Sequence, residues 1–170
     1  MTLSSLVLVG SSLMWAPAGE ARGGDGGSFL CTGSNTSTYD PPLMFTPQSV
    51  RVRAHAQYTC TVAPGRTVPA AGSLDVLAPG TACLALTHPG GTETVEYADG
   101  ARSVIVYDSS TTERVAGALF TRLTGQVTEG RGKGLPAQRT ADLLPGDLPT
   151  ECLGSGIRES SGSVQLEAHL

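Results

Sequence analysis

The fold is decided by the segment VRVRAHAQYTCTV, residues 50–62, in which apolar and polar side chains alternate without interruption. One face carries valine, alanine, tyrosine and cysteine, and the other carries arginine, histidine, glutamine and threonine. A period of two over this length is typical of a β-strand that buries one side against a core. Cys60 belongs to the apolar face, so we expect its side chain to point into the core.

The rest of the chain predicts further strands separated by turns rich in glycine and proline. A loop is predicted at 130–134 and a turn at 145–149. Beyond the N-terminal apolar run, no stretch of ten or more residues keeps a helical apolar period. We therefore predict an all-β fold of about seven to nine strands, an antiparallel, immunoglobulin-like β-sandwich with a barrel as the alternative. The further candidate strands are 73–78, 82–87, 115–128, 136–143 and 163–170.

The strongest turn signal is Asp99-Gly100, which lies between two runs rich in β-forming residues. Asp-Gly is typical of a two-residue type I′ hairpin turn. A loop of that length sets Tyr97 opposite Arg102. It also predicts that four apolar side chains share one face of the hairpin: Val95, Tyr97, Val104 and Val106.

Composition and charge exclude two classes of protein. The 170 residues include 39% hydrophobic residues and carry a net charge of -4, which is outside the regime of disordered chains. There are 11 Lys plus Arg against 15 Asp plus Glu, so a polybasic nucleic-acid binder is excluded as well. The length suits one domain with its own core.

A signal peptide is predicted over residues 1–21. An uncharged apolar run precedes Glu20, and small residues allow cleavage after Ala18 or after Ala21. No Lys or Arg precedes the run, which departs from the usual pattern. The alternative is a retained membrane anchor, but the run is shorter than the roughly 20 residues that span a bilayer. We therefore expect a secreted protein, with 22–170 as a single disulfide-bonded β domain and no membrane span after processing.

The cysteines indicate two disulfides rather than a metal site. An even number of cysteines in an exported chain is typical of a disulfide framework, and three connectivities are open. No two of these cysteines have the short spacing of a zinc site, and the histidines are scattered, so no metal or other cofactor is predicted. The cysteines are Cys31, Cys60, Cys83 and Cys152, and the histidines are His55, His88 and His169.

The sequence predicts no catalytic residues. The Gly-x-Ser-x-Gly nucleophile elbow is absent, and no histidine has a nucleophile or carboxylate placed beside it in sequence. The 130–134 run lacks the remainder of a phosphate-binding motif and is predicted as a solvated loop. Asn35 begins a glycosylation sequon, which matters only in a eukaryotic secretory pathway. Three neighbouring carboxylates lack the spacing of a calcium loop: Asp142, Asp147 and Glu151.

A row of positively charged side chains, called the positive row, lies on the polar face of the strand predicted at 50–62. It comprises Arg51, Arg53 and His55, with about 7 Å between alternate side chains. An anionic partner such as a cell-wall polymer could bind this row. The alternative is a solvated face, or an edge strand that is protected by charge.

Three stretches resemble a group of small exported actinobacterial proteins, of the kind found in Streptomyces, whose function is unknown. They are the segments 97–103 and 123–130, and the motifs spread over 142–162, and the likeness extends from Cys31 onward. In that group an aromatic-x-Asp-Gly hairpin, a Val-Thr-x-Gly turn and a late Cys-Leu recur in this order. The resemblance, together with the strand prediction, favours pairing Cys31 with Cys60 and Cys83 with Cys152.

Two classes of function remain open on the sequence. The first is a secreted, non-enzymatic β module with a structural or binding role at the cell exterior, in contact with a polymer or protein. The second is an extracellular protease inhibitor or a small-ligand-binding protein. The cysteine spacings match neither the subtilisin inhibitors nor the enediyne-carrying apoproteins, which are also disulfide-bonded β proteins exported by actinobacteria.

Overall fold

The computed structural model describes residues 27–83, 90–115, 118–143 and 150–170. Eight consecutive antiparallel strands form one sheet, and the last strand pairs with the first to close a barrel. A short helix, α1 (Thr150–Leu153), precedes the last strand. The strands are β1 (Phe29–Leu43), β2 (Gln48–Ala63), β3 (Arg66–Thr81), β4 (Gly91–Tyr97), β5 (Arg102–Val115), β6 (Ala118–Gly130), β7 (Pro136–Leu143) and β8 (Ile157–Ala168).

The prediction of an antiparallel all-β fold is confirmed, and of the two predicted architectures the structure has the barrel. Each strand pairs with its neighbours in sequence, so no connection has to cross from one sheet to another as in a sandwich. Pairing of β8 with β1 removes the free edges that an open sheet would leave. Among the described residues, no helix is long and apolar enough to cross a membrane.

Strand β2 follows the alternation predicted for residues 50–62. Its side chains from Val50 to Cys60 are alternately buried and exposed, and Val62 is half-buried. Strand β2 pairs with β1 on one side and with β3 on the other. A long strand with one apolar face, held on both sides, supplies a continuous wall of the barrel core.

The β4–β5 hairpin forms, but its predicted register is wrong by one residue. The N–H of Tyr97 donates to the carbonyl of Ala101, and Gly100 adopts a φ of 82°. The loop therefore has three residues, with Gly100 in the left-handed conformation. A shift of one residue turns every side chain of β5 to the other face. Ile105 and Tyr107 are consequently buried, whereas Val106 is exposed.

Other predicted boundaries also change. The separate segment predicted at 73–78 is part of the longer β3, and most of 82–87 lies outside the described residues. The segment predicted at 115–128 is divided, because Val115 ends β5 and Ala118 begins β6. The last strand begins earlier than predicted, at Ile157. The turn predicted at 145–149 lies outside the described residues, whereas the strand predicted at 136–143 is confirmed as β7.

Two disulfides have the favoured pairing. Cys31 and Cys60 occupy opposing positions of β1 and β2, and their bond crosses this pair of strands. Cys83 joins Cys152 over a sequence separation of 69, which ties the end of β3 to α1. The two bonds therefore lie at opposite ends of the barrel. We call the end with Cys31–Cys60 the first end and the end with Cys83–Cys152 the second end.

Among the residues that the structure describes, the core consists of two apolar clusters. The larger cluster occupies the first end and the middle of the barrel and includes Phe29, Val127 and Leu166. The smaller cluster lies at the second end and includes Leu43, Ile157 and both cysteines of that end. Charged and hydroxyl-bearing side chains are also buried inside the barrel, and these form the candidate site.

Candidate binding site in the barrel interior

Two charged side chains of opposite sign lie inside the barrel. Glu93 of β4 is 1% exposed and Arg139 of β7 is 4% exposed. Charged residues are almost never buried to this degree unless they are paired. The Nε of Arg139 lies 3.4 Å from Oε2 of Glu93, so the two form an ion pair within the barrel.

The carboxylate of Glu93 also accepts hydrogen bonds from two tyrosines. The hydroxyl of Tyr58 donates to Oε1 at 2.9 Å, and the hydroxyl of Tyr107 donates to Oε2 at 2.6 Å. Oε1 therefore has a donor on β2, and Oε2 has a donor on β5. Such bonds are what a buried charge needs to offset the loss of water.

Arg139 connects this carboxylate to the β1 wall. Its Nε donates to the Tyr58 hydroxyl at 3.3 Å, and its Nη2 donates to Oδ1 of Asn35 at 2.6 Å. Asn35 in turn donates from Nδ2 to the Ser37 hydroxyl at 2.9 Å. Near them, the hydroxyls of Tyr39 and Ser160 lie 2.8 Å apart. We call these residues the interior polar cluster: Asn35, Ser37, Tyr39, Tyr58, Glu93, Tyr107, Arg139 and Ser160.

The protonation states in the cluster follow from burial and charge. Burial raises the pKa of Tyr58 and Tyr107, and the charge of Glu93 raises both further, so these hydroxyls remain hydrogen-bond donors. Burial on its own would lower the pKa of Arg139, but the nearby carboxylate of Glu93, together with the Tyr58 and Tyr107 side chains, outweighs burial, and the pKa is raised. The guanidinium is therefore charged throughout the physiological range.

Strand periodicity places these residues inside. Glu93 is in phase with the buried Val95 and Tyr97 of β4. Arg139 is in phase with Ala137 and Ala141 of β7, and these small side chains leave room for a guanidinium.

Gly72 of β3 provides room on the opposite wall. A Cβ at this position would lie 2.6 Å from Oε1 of Glu93 and 2.7 Å from the ring of Tyr58. Any larger residue here would therefore require the Glu93 carboxylate or the Tyr58 ring to shift.

A small cavity adjoins Arg139. Its volume is about 40 Å³. Its polar side is formed by Asn35, Ser37, Tyr39 and Arg139, and Asp142 lies among its lining residues. Its apolar side includes Val52, Ala54, Leu74 and Leu123. A water molecule occupies about 30 Å³ in the liquid, whereas an apolar cavity of about 150 Å³ accepts benzene. The cavity therefore suits a few atoms and not a drug-sized ligand.

A second polar group closes the first end of the barrel. Arg131 lies 4.4 Å from the centre of the Tyr97 ring and donates from Nη2 to Asp99 at 2.8 Å. Arg66 donates to the same carboxylate oxygen at 2.9 Å. The hydroxyl of Ser103 donates to the carbonyl of Arg131. These contacts join the β2–β3 hairpin, the β4–β5 hairpin and the β6–β7 loop, and we call them the end clasp.

The predicted positive row is on the outer surface, as expected from the strand pattern. Arg51, Arg53 and His55 are all exposed. Arg51 makes two hydrogen bonds of 2.8 Å to the carboxylate of Asp75, and Nε of Arg53 lies 3.6 Å from the same carboxylate. Asp75 therefore offsets part of the positive charge, which favours a solvated face over a strong anion-binding surface.

The structure does not bring the other predicted candidates together. His169 is exposed near the C-terminus, and His88 lies outside the described residues. Asp142 accepts hydrogen bonds from the backbone and the hydroxyl of Ser163. Asp147 is outside the described residues, and nothing is described of the Glu151 side chain.

The sequon asparagine, Asn35, is an unexpected part of the interior. It is 5% exposed and bonded to Arg139, so its amide is inaccessible for glycosylation in the folded barrel. Within the described part of the chain, no group of three or more His, Cys, Asp or Glu could hold a metal ion.

Comparison with protein-family models, with curated proteins and with solved structures finds no match. Function has to be argued from the geometry of the barrel itself.

Proposed function

We propose that the protein is secreted and acts at the cell exterior as a non-enzymatic binding module, and that its barrel interior holds a small polar ligand beside Arg139. Two disulfides support an oxidising location such as the extracellular space. The observation that carries the proposal is the buried Glu93–Arg139 pair next to a cavity. Small eight-stranded barrels fill their interior with side chains or hold one small ligand.

Stability alone does not account for the interior polar cluster. Replacing a buried ion pair by apolar residues of similar volume is often neutral or stabilising. A barrel that served only as a rigid spacer would therefore gain little from burying Glu93 and Arg139. Ligand binding gives such a pair a use, because a pocket needs a few convergent polar groups within apolar walls.

The contacts within the cluster favour binding over catalysis. The hydroxyl of Ser37 is bonded to Asn35, and that of Ser160 is bonded to Tyr39. Neither partner is a general base of the kind that activates a serine nucleophile. Both charged residues are occupied by each other and by tyrosine hydroxyls.

Small-ligand binding is also favoured over protease inhibition through the β6–β7 loop. The exposed Lys133 lies in the β6–β7 loop. Hydrogen bonds within this loop hold its shape: the N–H of Lys133 donates to the carbonyl of Gly130 at 3.1 Å, and the N–H of Leu135 donates to the carbonyl of Gly132 at 2.9 Å. A peptide segment that lies along a partner as an added strand is extended. This loop is a succession of tight turns and does not offer such a segment.

Native mass spectrometry of the secreted protein tests the proposal. We expect the folded chain to carry a discrete additional mass that is lost on denaturation. Because removing Arg139 alone would leave Glu93 unpaired, the informative variant is Glu93→Gln with Arg139→Met, which should carry no additional mass. The matched control is Asp75→Asn with Arg51→Met on the outer surface, which should retain it. Wild-type protein that has only the mass of its chain, and that no small polar metabolite stabilises at 10 mM, contradicts the proposal.

A further inference from the structure

A pocket opens on the outer face of the barrel, where β5, β6 and β7 lie side by side. Its volume is about 240 Å³, and it shares no lining residue with the interior cavity beside Arg139. The pocket is therefore separate from the proposed interior site. Its described lining consists of one aromatic side chain, two side chains of opposite charge and two hydroxyl side chains: Phe120, Glu113, Arg122, Thr111 and Thr140.

The register of the three strands gathers these side chains around the phenylalanine. Phe120 of β6 stands opposite Glu113 of β5. Arg122, two residues further along β6, stands between Thr111 of β5 and Thr140 of β7. Directly opposed side chains on one face of an antiparallel pair are about 5 Å apart. The five side chains therefore form one continuous patch on the outer face.

Phe120 is an aromatic ring on a face that is otherwise polar. All four tyrosines of the chain and Phe29 are buried. Phe120 is half-buried, and the next side chains on its face of β6 are Arg122 and Thr124. The face of an aromatic ring carries partial negative charge and attracts the positive edge of polarised C–H groups. Phe120 thus offers a flat apolar platform to a ligand in the pocket.

The polar groups around the ring are not engaged with one another. Glu113 and Arg122 line the same pocket and carry opposite charges, yet no ion pair joins them. Within the described part of the chain, neither these two side chains nor the two threonines have a hydrogen bond to another side chain. Arg51, by contrast, is bonded to a carboxylate on the neighbouring strand. A ligand therefore meets an acceptor, a donor and two hydroxyls without having to break contacts.

A neutral sugar ring matches this lining. A pyranose with equatorial substituents presents a flat face of C–H groups and a rim of hydroxyls. The C–H face suits an aromatic platform. Hydroxyls both donate and accept, so they can satisfy a carboxylate, which only accepts, and a guanidinium, which only donates. Because the two charges of the pocket are opposite, its lining has no net attraction for an ion of either sign.

The volume of the pocket agrees with a ligand of this size. A cavity of about 150 Å³ accepts benzene. The pocket, at about 240 Å³, has room for a six-membered ring with its substituents. It lies on the outer surface, where a polymer can continue beyond the bound unit.

We propose that this pocket binds one pyranose unit of a neutral polysaccharide, with the sugar ring stacked on Phe120 and its hydroxyls bonded to Glu113 and Arg122. The inference does not depend on an interior ligand. A single unit of about a dozen non-hydrogen atoms is expected to bind with a dissociation constant of about 2 mM. A titration to 50 mM therefore covers the expected range.

The experiment is a titration of the ¹⁵N-labelled protein, followed by the backbone amides of residues 111–113, 120–122 and 140. The probes are cellotriose and the trisaccharide of N-acetylglucosamine. Sorbitol serves as the open-chain polyol, trigalacturonate as the anionic sugar and a thymidine oligonucleotide as a ligand with stacking bases, all at matched ionic strength. At least one of the two neutral trisaccharides should give saturable shifts at these amides. The other three compounds should bind at least tenfold more weakly.

Variants of the platform and of its polar rim locate the site. Phe120→Ala should weaken trisaccharide binding at least tenfold, whereas Phe120→Tyr keeps the ring and should bind as the wild type does. The matched control is Phe45→Ala, which removes an exposed ring that does not line the pocket and should leave binding unchanged. If Phe120→Ala fails to fold, Glu113→Ala combined with Arg122→Ala changes only exposed side chains and should also weaken binding at least tenfold.

Four results would overturn the inference. Sorbitol that binds as well as the trisaccharides would show that no sugar ring stacks on Phe120. Tighter binding of trigalacturonate or of the oligonucleotide would replace the neutral sugar by an anion or a base. Trisaccharide shifts that persist unchanged in Phe120→Ala, or in the double variant of the rim, would place the sugar elsewhere. No saturable shift with either trisaccharide up to 50 mM also overturns the inference, and the native mass of the secreted protein still tests the interior site independently.

Discussion

Among the arginine–carboxylate pairs of the barrel, one at the outer surface and one in the interior differ most in their exposure to water. On the outer surface, Arg51 meets Asp75 in two hydrogen bonds of 2.8 Å, with side chains 53% and 45% exposed. Inside, Arg139 meets Glu93 at 3.4 Å, and both are buried. The surface pair has the better geometry, yet the interior pair has the larger consequence for the fold.

The difference comes from water. At the surface, the two charges are hydrated whether or not they touch, so contact gains little free energy. In the interior, either charge without the other lacks both water and a counter-ion, and the penalty is several kcal/mol. Ranking the two pairs by distance alone would therefore give the surface pair the larger effect on stability, the reverse of the order expected from burial.

The end clasp lies between these extremes. Arg131 and Asp99 are 2.8 Å apart, and their side chains are 16% and 20% exposed. The guanidinium also packs on the face of Tyr97, which adds a cation–π contact. The three pairs form a graded series of burial within one protein.

The largest effect is expected from breaking the interior pair. Arg139→Met keeps an apolar stem but leaves the Glu93 carboxylate unpaired, which should lower the free energy of unfolding by about 3–5 kcal/mol. Urea denaturation followed by circular dichroism measures this.

Adding Glu93→Gln to Arg139→Met removes the orphaned charge and should restore much of the lost stability. A double variant that is less stable than Arg139→Met would show that the carboxylate is not the source of the penalty. The comparison between interior and surface would then have to rest on packing and not on charge.

The sequence predicts the strands of the barrel better than the charged pair in its interior. Strict alternation in 50–62 places β2 and Cys60 correctly, and β7 has its predicted bounds. The 104–107 run, Val-Ile-Val-Tyr, is apolar on both faces, so it does not settle the register of the hairpin. The left-handed Gly100 settles it, since it closes a three-residue loop.

The interior pair escapes prediction because its two residues are remote in sequence. Glu93 and Arg139 meet only when eight strands close into a cylinder. A signal is nevertheless present, since each charge stands in phase with the inward residues of its own strand, such as Val95 for β4 and Ala137 for β7. The row at Arg51 and Arg53, by contrast, is predictable because its residues lie two apart on one strand.

The next largest effect on stability is expected at alkaline pH, where the buried tyrosines ionise. Burial raises the pKa of all four tyrosines above the usual 10.0. Because the unfolded chain releases these protons first, the stability is full below about pH 10 and falls as the pH rises further. Tyrosinate absorbance should therefore appear together with unfolding, in one cooperative step. Ionisation of Tyr58 or Tyr107 in a chain that is still folded would show that the interior admits water freely.

Acid should weaken the end clasp by a smaller amount. The hydrogen bond from Arg131 holds the pKa of Asp99 below its usual 3.8. A lowered pKa in the folded state gives stability that is present above about pH 4 and lost as the pH falls through the folded value. Asp99→Asn should lower the urea midpoint at pH 6 and reduce its further decline below pH 4. An unchanged midpoint at pH 6 would show that the end clasp contributes as little to stability as the surface pair of Arg51 and Asp75.

The smallest effect belongs to Arg51→Ser combined with Arg53→Ser. The hydrogen bond from Arg51 is the main cause of the lowered pKa of Asp75, so this pKa should return toward 3.8 in the double variant. The unfolding midpoint at neutral pH should stay the same within error, because exposed pairs often contribute nothing measurable. NMR titration of the Asp75 carboxylate and urea denaturation supply the two readouts on one sample. Binding of the protein to isolated cell wall at low salt, if it occurs through this row, should weaken in the same variant. A clear loss of stability would mean that good geometry outweighs exposure after all, and the ranking of the three pairs by burial would fail.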